Sequence, residues 1–586
     1  MLNVNNISER TNKILLIVIS VCTMAMYASV LRLPQSKKYE ISFYSAIPLS
    51  VWALLVLALV LSLVVFASCP SRRVWVYAVT LCGIIVAFVT VLPYIRGYYM
   101  FFTGDSLYHI GVSKDVIRSG QITDSNIYPS LHLFATALVL VSDLSIESSA
   151  ILISLFVTLA SVLAGVIVAL KLPLSESGKT LTTGLVSTLP ISTLYYTFAP
   201  WPKSQMLLLY IVLWLVFTDI STSRRRLLIA YFVIISAIPS HPFTSLSILM
   251  LIFVPSFAKV VKEITTKTTQ DTGVISIILL MGGVIWMYWI ISIERFSSLL
   301  RKSITSLLFP ELGPRSSTVA ESAAIISNVS ANILDIALIF LFRYGKSVLI
   351  IGIAFLLIAF RMIRRERRPL YDRWIVIPLL LFWILGTISV FLPFPAFTID
   401  RLYLVGVLLS ILTIGSEISF IMNTGPRFTR SVLVISVVLL LLVVPLTVAT
   451  TYNGSGNKKA NPQILQSEVA STNWYIQNTE ATKAYSIGPK IGRLAAYSSE
   501  HRSISTIRPP PHFNWSGSNE RVVTPNPQFL ITIPRDEQIN PAFYPKYEQE
   551  WDYTPQDFET MSNSQQVEKI YSTGNVTIYH LQVSLQ

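Results

Sequence analysis

The sequence predicts a polytopic bundle of membrane-spanning α-helices followed by a small α/β domain on the non-cytoplasmic side, and three observations predict it. Only 13% of its 586 residues are charged and 53% are hydrophobic, whereas a soluble chain carries about 25% charged residues. Leu54 to Ala67, Val348 to Phe360 and Val432 to Val448 are apolar runs without a single charge. In lipid, only a helix or a closed barrel satisfies its own backbone, and these runs are continuous rather than alternating, which excludes a barrel. Near residue 452 the composition turns abruptly to Asn, Ser, Pro, Gln and charge.

At ~20 apolar residues per crossing, about thirteen spans fit, near 14–33, 43–67, 74–94, 149–170, 180–198, 204–220, 227–239, 243–258, 273–293, 346–361, 374–392, 402–422 and 431–451. The first follows Arg10 and Lys13, lacks a small-residue cleavage site and reads as a retained signal anchor. Basic clusters fall on alternate loops: Arg72 and Arg73; Lys171 and Lys179; Arg224 to Arg226; Lys259, Lys262 and Lys267; Arg361 to Arg373; Arg427 and Arg430. By the positive-inside rule these are cytoplasmic. The amino terminus is then cytoplasmic and residues 452–586 lie outside. Arg32, Lys37 and Lys38 are the one dissenting cluster, on an outer loop. Leu131 to Leu144 is short for a crossing and reads as a helix lying in the outer interface. The expected organisation is a membrane domain over 1–451, with long external segments at 95–148 and 294–345, and an extracytoplasmic domain over 452–586.

The net charge of +14 does not point to nucleic acid, because the basic residues sit in short clusters between apolar runs. Three cysteines, Cys22, Cys69 and Cys82, lie in or beside those runs, so no disulfide framework is expected in the tail. In the tail, Ile464 to Gln477 and Ile491 to Tyr497 read as helices, and Lys483 to Ile487, Phe529 to Ile533 and Val576 to Val583 as strands. Prolines at 509–511 and at 525 and 527 mark its connections. Sequons at Asn328, Asn453, Asn514 and Asn575 are external in this topology, and the one at Asn6 is cytoplasmic and silent.

The first external segment carries the densest chemistry: Phe102-Thr-Gly-Asp-Ser-Leu-Tyr-His109, then Asn126-Ile-Tyr-Pro-Ser-Leu-His132. An acid just beyond a span with two histidines nearby is suited to proton abstraction beside the membrane. Gly104-Asp105 also fits the plain cap of a helix over Ser106 to Ser119. Further along, Pro200-Trp-Pro-Lys203, Ser240-His-Pro242 and Asp400-Arg401 fall at outer ends of spans. Interfacial anchoring is the ordinary explanation of Trp, Lys and Arg there. His241 interrupts an apolar stretch, which in lipid requires a reason.

The order of span, external Gly-Asp-x-x-x-His, helix opened by Tyr-Pro-x-x-His, and about a dozen further spans resembles the GT-C glycosyltransferases. Among these it looks most like the protein mannosyltransferase and aminoarabinose-transferase type of archaea and bacteria. The resemblance implies transfer of a sugar from a polyprenyl (dolichyl) phosphate carrier to an acceptor hydroxyl outside the cell membrane, with inversion. It implies Asp105 as base or acceptor-orienting group, with His109, Tyr128, His132, Lys203, His241 and Arg401 as substrate-binding positions. Lys203 or Arg401 would meet the leaving phosphate. The implied partners are the lipid-linked donor, membrane lipid, and a glycan, protein or lipid acceptor. Many relatives carry paired acids in the first loop. Here Asp105 stands alone with Ser106 after it, so a divalent metal stays open.

Glu550-Trp-Asp-Tyr-Thr554 resembles the Trp-Trp-Asp-Tyr-Gly motif of oligosaccharyltransferases, but lacks its first Trp and its Gly. It reads as coincidence, with an oligosaccharyltransferase-like enzyme kept as an alternative. A transporter or lipid flippase is the rival from another class. Such proteins place ionisable or helix-breaking residues near the bilayer midplane, whereas these span centres are nearly free of charge. A receptor or scaffold would act through the tail and leave the Asp105 loop unexplained.

Overall fold

The computed structural model describes residues 8–68, 71–101, 105–122, 126, 129–189, 203–217, 224–241, 244–253, 257, 273–292, 298, 333–364, 372–391, 399–424, 427–454, 456, 458–481, 483–488, 490–498, 504–514 and 529–582. Helix α1 (Glu9–Leu31) opens on Ser8, whose hydroxyl accepts the Thr11 N–H at 3.1 Å. The expected span 43–67 is divided into α2 (Phe43–Ala46) and α3 (Leu49–Ala67). Pro48 is the cause: the residue before a proline is pushed out of the helical region, and Ile47 is extended.

Then come α4 (Arg72–Ile95), α5 (Ser106–Ser119), α6 (Pro129–Ser142), α7 (Ile146–Lys171), α8 (Glu176–Thr188), α9 (Lys203–Phe217), α10 (Arg224–Ser240), α11 (Thr244–Phe253) and α12 (Gly273–Ser292). Helix α13 (Ile333–Phe340) continues through a π turn (Leu341–Gly345) into α14 (Lys346–Ile363). A second π turn (Asp372–Val376) leads into α15 (Ile377–Phe391), followed by α16 (Ile399–Thr424) and α17 (Arg427–Ala449).

Among the described residues, 7 helices are long and apolar enough to cross a membrane. They are α1, α3, α4, α7, the stretch Ala337–Ile363, and the cores of α16 and α17. Shorter apolar helices include α6, α11 and the stretches Met206–Leu215 and Met281–Ser292. The span expected from 346 begins earlier, because the π turn lets α13 run on into α14. Where a span was expected over 180–198, α8 is rich in Ser, Thr and Gly, and residues 190–198 lie outside the described part. Its small residues let backbones approach closely: a Cβ on Gly184 would come within 2.7 Å of Phe66, and one on Gly178 within 2.4 Å of the Ser419 hydroxyl.

Among the described residues, an ionisable cluster sits inside the bundle. Glu417 of α16 is fully buried, 3.1 Å from the guanidinium of buried Arg361, which also binds Asp372. Glu417 lies near the end of its helix rather than at its middle.

The tail folds as β2 (Gln463–Ile464), α18 (Gln466–Asn478), β3 (Lys483–Tyr485), α19 (Lys490–Ser498), β4 (Ser505–Ile507), β5 (Phe529–Thr532), α20 (Pro534–Phe543), α21 (Pro555–Ser562), β6 (Val567–Ser572) and β7 (Thr577–Leu581). The five-stranded sheet has the order β4-β3-β5-β7-β6, with β3 parallel to β4 and β5, and β7 antiparallel to β5 and β6.

A separate two-stranded ladder joins the tail to the segment after α4: β1 (Met100–Phe101) pairs with β2, Met100 opposite Ile464 and Phe101 opposite Gln463. Beneath it Phe43, Tyr98, Phe101 and Tyr452 form an aromatic cluster, Phe43 and Tyr452 with centroids 4.4 Å apart. The loop after α1 joins the same junction. Tyr39 donates to the Asn461 carbonyl at 2.8 Å, and the Gln463 side chain accepts the Glu40 N–H at 2.7 Å and donates to the Lys38 carbonyl at 3.1 Å. The loop holding Arg32, Lys37 and Lys38 thus packs with the segment after α4 and with the tail.

Candidate active site

Helix α5 begins as expected, at Ser106. It ends at Gly120, whose φ of +68 supplies the left-handed turn that closes a helix and whose N–H returns to Val116. Asp105 stands at the N-cap position, yet its carboxylate makes no cap hydrogen bond. It reaches instead to Arg493 of α19, 2.6 Å away. Both side chains are about half exposed, so the pair adds little stability. The acid is therefore presented outward, not spent on the helix.

One turn on, His109 is buried and meets His132, in the first turn of α6, with Nδ1 to Nε2 at 3.0 Å. The Nδ1 of His132 lies 2.9 Å from the Asn126 side-chain oxygen. That oxygen only accepts, so His132 is protonated on Nδ1 and accepts from His109 on Nε2. The lone pair of His109 is then on its own Nε2. Burial, with the Arg493 charge added, pushes His109 down to about 3, and burial, with His109 added, pushes His132 down to about 3. Both rings are neutral near pH 7. They act through hydrogen bonds and cannot offer positive charge to a phosphate; Arg493 can.

A second set of contacts fixes α19 on α5. Lys114 is 3.1 Å from Glu147 and lies over the Tyr497 ring, 3.4 Å from its centroid. Tyr497 donates to the same carboxylate. Gly111 is needed where the helices touch: a Cβ there would lie 2.0 Å from the Ala496 carbonyl oxygen. These contacts hold Arg493 at Asp105.

The remaining expected positions are spread over other helices. Tyr128 lies outside the described residues. Lys203 opens α9 and Arg401 lies in the first turn of α16; their side chains are outside the described part. His241 follows α10, a helix that packs on α6, and is buried. Its carbonyl accepts the Ser245 N–H at 3.0 Å and its Nδ1 faces the Thr244 N–H at 3.4 Å. The reason for the Ser-His-Pro interruption is a helix start: His241 caps α11.

The structure thus brings together Asp105, His109 and His132, and adds Asn126 and Arg493. Asn126 belonged to the quoted motif, but Arg493 was missed. Its one sequence signal is a cation on the polar side of a helix whose apolar side is Ile491, Leu494 and Ala495. Among the described residues no three His, Cys, Asp or Glu side chains converge as a metal site.

The Trp-Asp-Tyr segment of the tail is structural. Trp551 donates to the Tyr544 carbonyl at 3.1 Å, Asp552 pairs with Arg508, Tyr553 donates to the Pro509 carbonyl, and Thr554 caps α21.

No family model matches the chain, and no curated protein matches it. Among solved structures it is similar to the oligosaccharyltransferase of Archaeoglobus fulgidus in complex with Zn and sulfate, at 11% identity and a TM-score of 0.45, over 85% of this chain and 73% of that one. It is also similar to the mycobacterial arabinofuranosyltransferase AftD, at 12% identity and a TM-score of 0.46, over 88% of this chain and 40% of that one. The chain therefore spans less than half the length of AftD.

Proposed function

We propose that this protein is a multi-pass membrane glycosyltransferase that moves a sugar from a polyprenyl-phosphate carrier to an acceptor hydroxyl on the extracytoplasmic side. The observation that carries the proposal is the Asp105 carboxylate. It stands uncapped and outward beyond α4, with a guanidinium at 2.6 Å and a buried neutral histidine pair one turn away.

The acceptor hydroxyl attacks the anomeric carbon as the carrier phosphate leaves from the opposite face, which inverts the centre. Asp105 takes the hydroxyl proton. Arg493 turns from Asp105 to the phosphate as charge builds there, a task suited to its planar fork of donors. Separating the pair frees the carboxylate when donor arrives. His109 and His132, held by Asn126, keep the start of α5 in place and fix its hydrogen-bond pattern. The apolar bundle offers the prenyl chain its surface, and Lys203 and Arg401 open helices elsewhere on the same proposed outer side.

The test is transfer from radiolabelled polyprenyl-phosphate sugars by the purified full chain and by Asp105→Asn, with folding checked. Activity in the wild type that disappears in the variant supports the reading. Equal activity removes Asp105 from the centre, and no transfer by the wild type across a panel of carriers and acceptors overturns the reading.

A transporter is the second reading, and the buried Arg361–Glu417 pair favours it, since ionisable groups within spans mark passage sites. Flux in sealed vesicles that is lost in Glu417→Gln would move the assignment there.

A further inference from the structure

An open groove of about 840 Å³ runs across the tail where it faces the loop after α1. It falls within the ~300–1,000 Å³ range of small-molecule sites. Its floor is Thr532 of β5 with Thr577 and Tyr579 of β7; one wall is the start of α20 and the other is α21. Lys38 and Tyr39 of the membrane domain close one side, and the Gly574-Asn575 turn closes another.

The lining has a distinct chemistry. Phe558 offers aromatic surface, while Tyr39 and Tyr579 are largely buried behind the lining. Glu537 and Gln538 on α20, and Gln556 and Glu559 on α21, are exposed, and among the described residues their side chains form no hydrogen bond or ion pair. Carboxylates and carboxamides accept or donate through two adjacent atoms. That geometry matches neighbouring hydroxyls on a sugar ring, while the ring's C–H face suits an aromatic surface.

Other ligand classes fit less well. The floor strands β5 and β7 are both internal to the sheet, so no open edge is offered to an extended peptide. The two carboxylates outnumber Lys38, which repels phosphate and other anions. One lining residue touches the helix that carries Arg493: Lys490 of α19 lies 5.4 Å from the Tyr39 ring centroid.

We infer that this groove is a binding site for a neutral oligosaccharide. As a saccharide site it stands by itself; as the acceptor site, making a glycan the acceptor, it rests on the transferase reading.

The test is saturation-transfer NMR on the full chain in lipid nanodiscs, with cellotriose, mannotriose and maltotriose as probes. The protein is made in a non-glycosylating bacterial host so that the Asn575-Val-Thr577 sequon stays bare. At least one trisaccharide is expected to bind. The exposed substitutions Glu537→Ala with Glu559→Ala, and separately Gln556→Ala, are expected to weaken it roughly tenfold, with the melting temperature unchanged. Absence of binding by all three probes, binding unchanged in the groove variants, or displacement by inorganic phosphate or an unrelated peptide would each overturn the inference. Saccharide binding by a chain that transfers no sugar would keep the groove and overturn only its role as acceptor site.

Discussion

Asp105, at the start of α5, and Arg493, on a helix of the tail, form an ion pair of 2.6 Å that joins the segment after α4 to the tail. Neither side chain is buried, so the pair is better suited to exchange partners than to hold the fold. The holding is done nearby, by the β1–β2 ladder, the Gly111–Ala496 contact and the Lys114–Glu147–Tyr497 set.

If Arg493 meets the leaving phosphate, Arg493→Ala lowers turnover by about 10²–10³-fold. Arg493→Lys recovers part of the loss, because the charge stays while the fork is lost. The acceptor KM should stay near the wild-type value in both. Steady-state transfer rates check this, with thermal unfolding measured alongside. Wild-type turnover in Arg493→Ala would exclude the role.

The histidine pair makes the fold acid-sensitive. His109 and His132 titrate near 3 when folded but near 6.5 when unfolded. The unfolded chain therefore binds more protons below pH 6.5, and stability is lost as pH falls from 6.5 towards 3. Thermal melts of the wild type between pH 7 and 4 should show the decline. His132→Gln should flatten part of it.

Gly111→Ala places a methyl group on the Ala496 carbonyl and forces α5 and α19 apart. The expected result is loss of transfer comparable to Arg493→Ala, with membrane insertion unchanged. Protease accessibility of the tail is the direct readout: it rises if the docking is broken. Gly83→Ala, at a helix glycine with nothing within 4 Å of the added methyl, serves as the control.

Lys490 and Glu468 form a buried pair at 2.7 Å, and every contact of the pair is used. Lys490 also donates to the Gln463 carbonyl, and Glu468 also accepts the Leu465 N–H. Lys490→Ala leaves the carboxylate buried alone and should cost about 3–5 kcal/mol, read from denaturant unfolding. The double variant Lys490→Met/Glu468→Leu should regain only part of it, because the Gln463 carbonyl and the Leu465 N–H lose their partners.

How far the sequence revealed this varies with the range of the interactions. Helix α5 and strands β3, β5 and β7 were legible because their signals are local: Gly104-Asp105 before the helix, and short β-branched or aromatic runs for the strands. Helix α20 was not, because Pro534-Arg-Asp-Glu-Gln-Ile-Asn-Pro541 reads as a turn until Pro534 is placed in the first turn, where a missing N–H costs nothing. Strand β6 was missed because Val567-Glu-Lys-Ile-Tyr-Ser is an edge strand with little apolar alternation. In the site, the proximity of Asp105, His109 and His132 followed from motif spacing. Arg493 did not, because nothing local to α19 records which loop it will face. His241 interrupts an apolar stretch of the sequence, and the structure places it at the start of α11, a position no local signal marks.

The ladder between Met100–Phe101 and Gln463–Ile464 also orders events in time. During synthesis the loop bearing Asp105 emerges early, while its pairing strand and its arginine are made only after the intervening helices have been threaded into the bilayer. A chain interrupted anywhere before α19 would hold the acid without its partner. Assembly of the pair therefore waits on synthesis of α19: the acid gains its cation only once the tail has been made and has folded back on the loop.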